Sequence, residues 1–143
     1  MTSEAKKVIV FGVFDGVHEG HKAFFEEART RGDYLIAVVT QDVVVEQLKG
    51  KRPARDMAER FAELEAEDSV DEVVIGDAKL GVYDVVLKHR PDVIALGYDQ
   101  TALKEDLEAN YKKFNWKPRL VVMKAFEPNQ YHSSIMRKDR DAD

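Results

Sequence analysis

Five short apolar runs, Lys7–Gly12, Tyr34–Thr40, Glu72–Ile75, Val93–Leu96 and Leu120–Lys124, limit what this chain can fold into more than any other feature. Each is rich in Val, Ile or Leu and lacks the clean polar–apolar alternation of a half-buried strand. Strands that are buried on both faces look like this, so the runs predict a parallel sheet with helices on either side. Helical stretches separate them: His21–Thr30, Val43–Leu48, Asp56–Glu67, Val82–Lys88 and Ala102–Phe114. Asp56 stands where a helix cap is expected, and Arg90-Pro91 closes the fourth stretch. The alternation predicts one α/β domain over residues 1–143, a three-layer sandwich on a five-stranded parallel sheet with right-handed crossovers.

With 143 residues, 44% hydrophobic and 34% charged, the chain is long enough for a real core and has the composition of a soluble globular protein. It has no cysteine. That excludes a disulfide scaffold, thiolate metal sites and a cysteine nucleophile, and it suits a reducing cytoplasm, the expected location. No apolar run approaches the roughly 20 residues of a membrane span. Lys6-Lys7 leads straight into the first strand, with no signal-type apolar region, so no membrane partner is expected. A formal net charge of -5 argues against nucleic acid as a partner. It leaves room for a nucleotide, which needs only a local positive site, while acidic stretches such as Glu59 to Asp68 serve solubility.

An open parallel sheet binds ligands outside the carboxyl ends of its strands, where the strand order reverses. Three polar clusters follow strand ends here: His18 and His21 after the first, Gly97-Tyr98-Asp99-Gln100 after the fourth, and His132-Ser133-Ser134 after the fifth. In the first cluster two histidines lie three positions apart, with Gly20 between them, at a strand-to-helix junction. Unpaired N–H groups and the helix dipole favour an anion at such a place. Two imidazoles at an anion site point to chemistry on phosphate. Zinc ligation is a weaker reading, because there is no cysteine and no further ligand is evident, so no metal ligand is assigned.

The segment Gly12-Val13-Phe14-Asp15-Gly16-Val17-His18-Glu19-Gly20-His21 resembles the G-x-F-D-x-x-H-x-G-H signature of the cytidylyltransferase-like nucleotidyltransferases. Gly12, Phe14, Asp15, His18, Gly20 and His21 all fall in register, and the likeness extends over nearly the whole chain. It implies a Rossmann-like fold and transfer of a nucleotidyl group to a phosphate-bearing acceptor, with release of pyrophosphate. It also implies nucleotide binding at Gly12, Val13, Phe14 and Gly20, with His18 and His21 stabilising charge on the triphosphate during transfer. Val13 departs from the threonine of many relatives, which removes a hydroxyl but leaves the backbone contacts. Asp15 is assigned to the acceptor side; organising the turn or bearing on a magnesium ion are its other readings.

Three further elements carry the likeness. Leu48-Lys49-Gly50-Lys51-Arg52-Pro53 stands where the family has a basic loop that closes on the triphosphate. Lys49 and Lys51 are its candidates; a solvated connector is the alternative. Met57-Ala58-Glu59-Arg60 resembles the family's Glu-Arg helix segment, which has Arg60 support the phosphate-binding loop or the nucleotide, against a helix-surface ion pair. Leu96-Gly97-Tyr98-Asp99-Gln100 resembles a Gly-x-Asp strand end near nucleotide and acceptor. Gly97 allows close backbone approach, Asp99 could bind a ribose hydroxyl or a cation, and Tyr98 could stack on a ring of the acceptor or cover the core edge. Finally, Tyr131-His132-Ser133-Ser134-Ile135 lies where many cytidylyltransferases have Arg-Thr-x-Gly-x-Ser-Thr. Ser133 and Ser134 would contact phosphate or cap a helix, His132 is placed on the acceptor side, and the family's arginine is missing.

Taken together these segments look most like the archaeal-type FAD synthases. That resemblance implies adenylyl transfer from ATP to FMN by direct in-line attack, giving FAD and pyrophosphate, with magnesium or another divalent cation accompanying ATP. It also implies a homodimer. The alternatives are a glycerol-3-phosphate cytidylyltransferase using CTP and a non-catalytic nucleotide-binding module; the retained pair His18 and His21 argues against the latter.

Overall fold

The computed structural model describes residues 6–17 and 19–123. Strands and helices follow in the order β1 (Lys7–Gly12), α1 (Glu19–Arg29), β2 (Tyr34–Val39), α2 (Asp42–Lys49), α3 (Met57–Glu65), β3 (Glu72–Ile75), α4 (Asp84–His89), β4 (Val93–Leu96), α5 (Thr101–Ala109) and β5 (Arg119–Val122), with two helices between β2 and β3. The strands form one sheet in the order β3-β2-β1-β4-β5, and every neighbouring pair is parallel. The expected α/β sandwich on a five-stranded parallel sheet is what the chain forms.

The missing alternation in the strands has a direct cause. Val8 and Val10 pack on one face of β1 with Phe25 and Ala28 of α1 and Leu64 of α3. On the opposite face Ile9 packs with Ile36, Val38 and Val85, and beside them Ile94 and Leu96 of β4 pack with Val86 of α4 and Leu107 of α5. Both faces are apolar because both are covered. Among the described residues no helix is long and apolar enough to cross a membrane.

Several boundaries differ from the sequence reading, each for a local reason. The fifth strand begins at Arg119, because Arg119 pairs with Val93 and its amide donates to the Asp92 carbonyl. Backbone pairing on an edge strand admits a polar side chain. The last helix stops at Ala109 rather than Phe114: the Asn110 side chain donates to the Asp106 carbonyl at 2.7 Å, and a 3-10 turn follows at Tyr111–Lys113. The first helix starts two residues early, with Glu19 in its first turn, where a carboxylate suits the helix dipole. Asp56 is the cap expected of it and forms a reciprocal capping box with Glu59, although the helix ends at Glu65 rather than Glu67.

Candidate active site at the carboxyl edge of the sheet

The chain runs from β1 outward through β2 to β3, then returns to β4 on the other side of β1. The reversal of strand order therefore lies between β1 and β4. The two strands pair only through Val8 with Val93 and Ile9 with Ile94, whereas β1 stays paired with β2 through Gly12 and Val39. The sheet thus opens toward its carboxyl edge, between Phe11-Gly12 and Leu96-Gly97. Gln100 spans the opening: its Nε2 donates to the Phe11 carbonyl at 2.9 Å and its Oε1 accepts from the Gly97 amide at 2.8 Å.

The loop after β1 is tightly specified. Phe14 has a left-handed backbone, φ 53°, with its ring buried back across Gly12. A Cβ at position 12 would lie 2.6 Å from that ring, so only glycine fits there. The Phe14 ring packs edge-on against Phe25 at 5.3 Å and against His21 at 5.7 Å between centroids, and His21 stacks on Phe25 at 6.4 Å. His21 thus enters the first turn of α1 on an aromatic wedge, with Gly20 beside it in the same turn. Phe14 is a core side chain, so its ring is not exposed for contact with a ligand.

Arg60 lies beneath the loop, and it is the only charged residue among those described that is fully buried. Its Nη1 donates to the Val13 carbonyl at 2.8 Å, its Nε to the Arg55 carbonyl at 3.1 Å, and its Nη2 pairs with Asp42 at the start of α2. It therefore ties the loop after β1 to two other elements from inside the protein. The Asp15 carboxylate accepts from the Ala54 amide at 2.7 Å and the Arg55 amide at 2.8 Å. The Arg55 guanidinium is held by Glu63 at 2.6 Å, which raises its pKa further.

The structure brings the strand-end loop and the basic loop together. A cavity of about 200 Å³ is lined by Val13, Asp15, Val45, Lys49, Lys51, Arg52, Pro53 and Ala54. Three cations face one carboxylate whose oxygens already accept two amide hydrogens, so the cavity favours an anion. It is smaller than the about 300–1,000 Å³ of pockets for whole drug-sized ligands, so it has room for part of such a ligand only. At the end of β4 the Asp99 carboxylate folds over Gly97, where an added Cβ would meet its Oδ1 at 3.0 Å. Tyr98 is 52% exposed, so it does not cover the core edge. His18, His132, Ser133 and Ser134 lie outside the described residues.

Four residues that tie the site together carry no role in the sequence reading: Gln100, Asp42, Arg55 and Thr40. The Thr40 amide and hydroxyl both donate to the Gly12 carbonyl at 3.0 Å. Threonine directly after a buried strand and glutamine directly after Gly-x-Asp were the available signals. Among the described residues no group of three His, Cys, Asp or Glu could hold a metal ion.

The cytidylyltransferase-like family model matches residues 9–139. The FAD synthase of Thermococcus sibiricus is 44% identical over 145 residues, covering 98% of this chain and 93% of that protein. The FAD synthase of Ferroglobus placidus is 37% identical, covering 90% and 83%. Among solved structures, the lipopolysaccharide core biosynthesis protein of Thermoplasma volcanium GSS1 superposes with a TM-score of 0.79 at 29% identity, covering 87% of this chain and all of that one. Pantoate-beta-alanine ligase of Francisella tularensis shares the fold at a TM-score of 0.61 and 12% identity. With the signature at the end of β1 and a family match over nearly its whole length, the chain belongs to the cytidylyltransferase-like family.

Proposed function

We propose that this protein is an FMN adenylyltransferase, making FAD and pyrophosphate from ATP and FMN. The observation that carries the substrate choice is the likeness to proteins named FAD synthase, 37–44% identical over most of the chain. The cation-lined cavity beside the loop after β1 supports the reaction class, because the triphosphate is the most highly charged part of either substrate.

In the proposed reaction a phosphate oxygen of FMN attacks the α-phosphorus of ATP. The bond from that phosphorus to the bridging oxygen of the β-phosphate breaks, and pyrophosphate leaves with the electron pair. No nucleophilic side chain is needed, so the protein's task is positioning and charge stabilisation. His18 and His21 donate to the triphosphate as charge shifts toward the leaving group. Lys49 and Lys51 neutralise its outer phosphates. The loop backbone at Gly12, Val13 and Phe14, with Gly20, lies along the nucleotide, and Arg60 acts on it through the Val13 carbonyl. Gly97 and Asp99 take the nucleoside, Tyr98 and His132 the acceptor, and Ser133 and Ser134 a phosphate. Magnesium or another divalent cation would accompany ATP on its phosphates. The enzyme is further proposed to be a cytoplasmic homodimer: the family resemblance implies the dimer, and the absence of cysteine suits that compartment.

Incubation with magnesium, ATP and FMN, followed by chromatographic separation, tests the proposal. FAD is the expected product. CDP-glycerol from CTP and glycerol 3-phosphate, without FAD from ATP and FMN, would overturn the substrate choice. No pyrophosphate with either pair would leave a nucleotide-binding module.

A further inference from the structure

A carboxylate lining an anion cavity opposes the ligand, so the presence of Asp15 among Lys49, Lys51 and Arg52 needs a reason. Its hydrogen bonds supply one. Oδ2 takes the Ala54 amide and Oδ1 the Arg55 amide, 39 and 40 positions away in sequence. On the other side of residue 55 the Arg55 carbonyl accepts from Arg60, which also holds Val13. Both peptide groups of Arg55 are therefore fixed to the strand-end loop, one by Asp15 directly and one through Arg60. At the near end of the basic loop Gly50 has a left-handed backbone, φ 79°, with nothing within 4 Å of its Cβ position. Lys51, Arg52 and Pro53 span the short interval between that glycine, which caps α2, and the anchor at 54–55.

We propose that Asp15 is a positioning residue that latches the basic loop to the loop after β1, so that Lys51 and Arg52 are held over the backbone that takes the polyphosphate. The proposal rests on the nucleotidyl-transfer reading for its kinetic consequence, but not for its structural one. Aspartate suits the task because a carboxylate accepts at both oxygens. Asparagine offers one acceptor and turns an NH2 group toward the second amide.

The test uses Asp15→Asn and Ala54→Pro, the second of which deletes one donor at an exposed position and leaves Asp15 in place. Trypsin cleavage after Lys49, Lys51 and Arg55 is followed in the native protein, and KM is measured for ATP and for FMN. Loss of a hydrogen bond to a charged group predicts about a tenfold faster cleavage and about a tenfold higher KM for ATP. KM for FMN should stay within about twofold, below the effect of any lost hydrogen bond. If Asp15→Asn does not fold, Ala54→Pro alone decides: unchanged cleavage overturns the latch. A raised KM for FMN with unchanged cleavage would also overturn it and return Asp15 to the acceptor. If the wild type makes no FAD, the proposed function fails while the cleavage rates still decide the latch.

Discussion

Gln100 hydrogen-bonds the Phe11 carbonyl across the gap where β1 and β4 part, and the same amide accepts from the Gly97 N–H. A single side chain thus satisfies two backbone groups, one on β1 and one just past the end of β4, on either side of the reversal of strand order. Gln100→Leu removes both bonds and should cost about 1–3 kcal/mol for each backbone group left unsatisfied, less where water reaches it. Gln100→Glu keeps the acceptor for Gly97 but presents an oxygen to the Phe11 carbonyl, so it should be no better than Leu. Urea denaturation of both variants measures this; a glutamate variant as stable as wild type would contradict the assigned bonds.

Arg60 is wholly buried, with its charge answered by Asp42 and two backbone carbonyls. Arg60→Met leaves the Val13 and Arg55 carbonyls without this donor and should cost about 1–3 kcal/mol for each group left unsatisfied, less at Asp42, whose side chain is 24% exposed. Arg60→Lys should recover little, because one ammonium cannot reproduce the planar three-way geometry. Equilibrium denaturation checks both; a loss below about 1 kcal/mol, the range of surface ion pairs, would contradict the role.

The sequence made the strands legible because burial on both faces leaves an apolar run, as in Val93–Leu96. The cluster of loops at strand ends was legible too, since a parallel sheet puts every strand's carboxyl end on one edge. The burial of Arg60 follows from helix spacing: Met57, Arg60 and Leu64 lie at i, i+3 and i+7, on the apolar face of the helix. The contacts of Asp15 with Ala54 and Arg55 could not be read, because they join residues some 40 positions apart and depend on where the loop after α2 returns. The role of Gln100 was hidden for the same reason, since Phe11 lies 89 positions away.

Burial lowers the pKa of His89 below its usual 6.5, with Lys88 and Lys7 adding to the effect and Glu72 opposing it. The unfolded chain therefore binds this proton more readily than the folded one. Stability from the neutral imidazole is present above the unfolded value and falls as pH drops through 6.5 toward the folded value. Measured by urea midpoints, wild type should lose stability relative to His89→Gln as the solution is acidified across that window. A difference that stays constant or grows in favour of wild type would contradict the assignment.

His21 stands on an aromatic wedge of Phe14 and Phe25 in the first turn of α1. His21→Ala should keep the circular dichroism of the wild type and lower kcat by about 10²–10³, the usual cost of removing one preorganised donor. A folded variant with wild-type turnover would remove His21 from the chemistry.

Label transfer tests adenylyl transfer most directly. Wild-type protein is given FMN, magnesium and ATP labelled at the α-phosphate in one reaction or at the γ-phosphate in a second, and the products are separated. Attack by FMN on the α-phosphorus predicts α-label in FAD, γ-label in pyrophosphate, and no label in free AMP. Label from the γ-position on the flavin, or α-label in AMP without FAD, would contradict it.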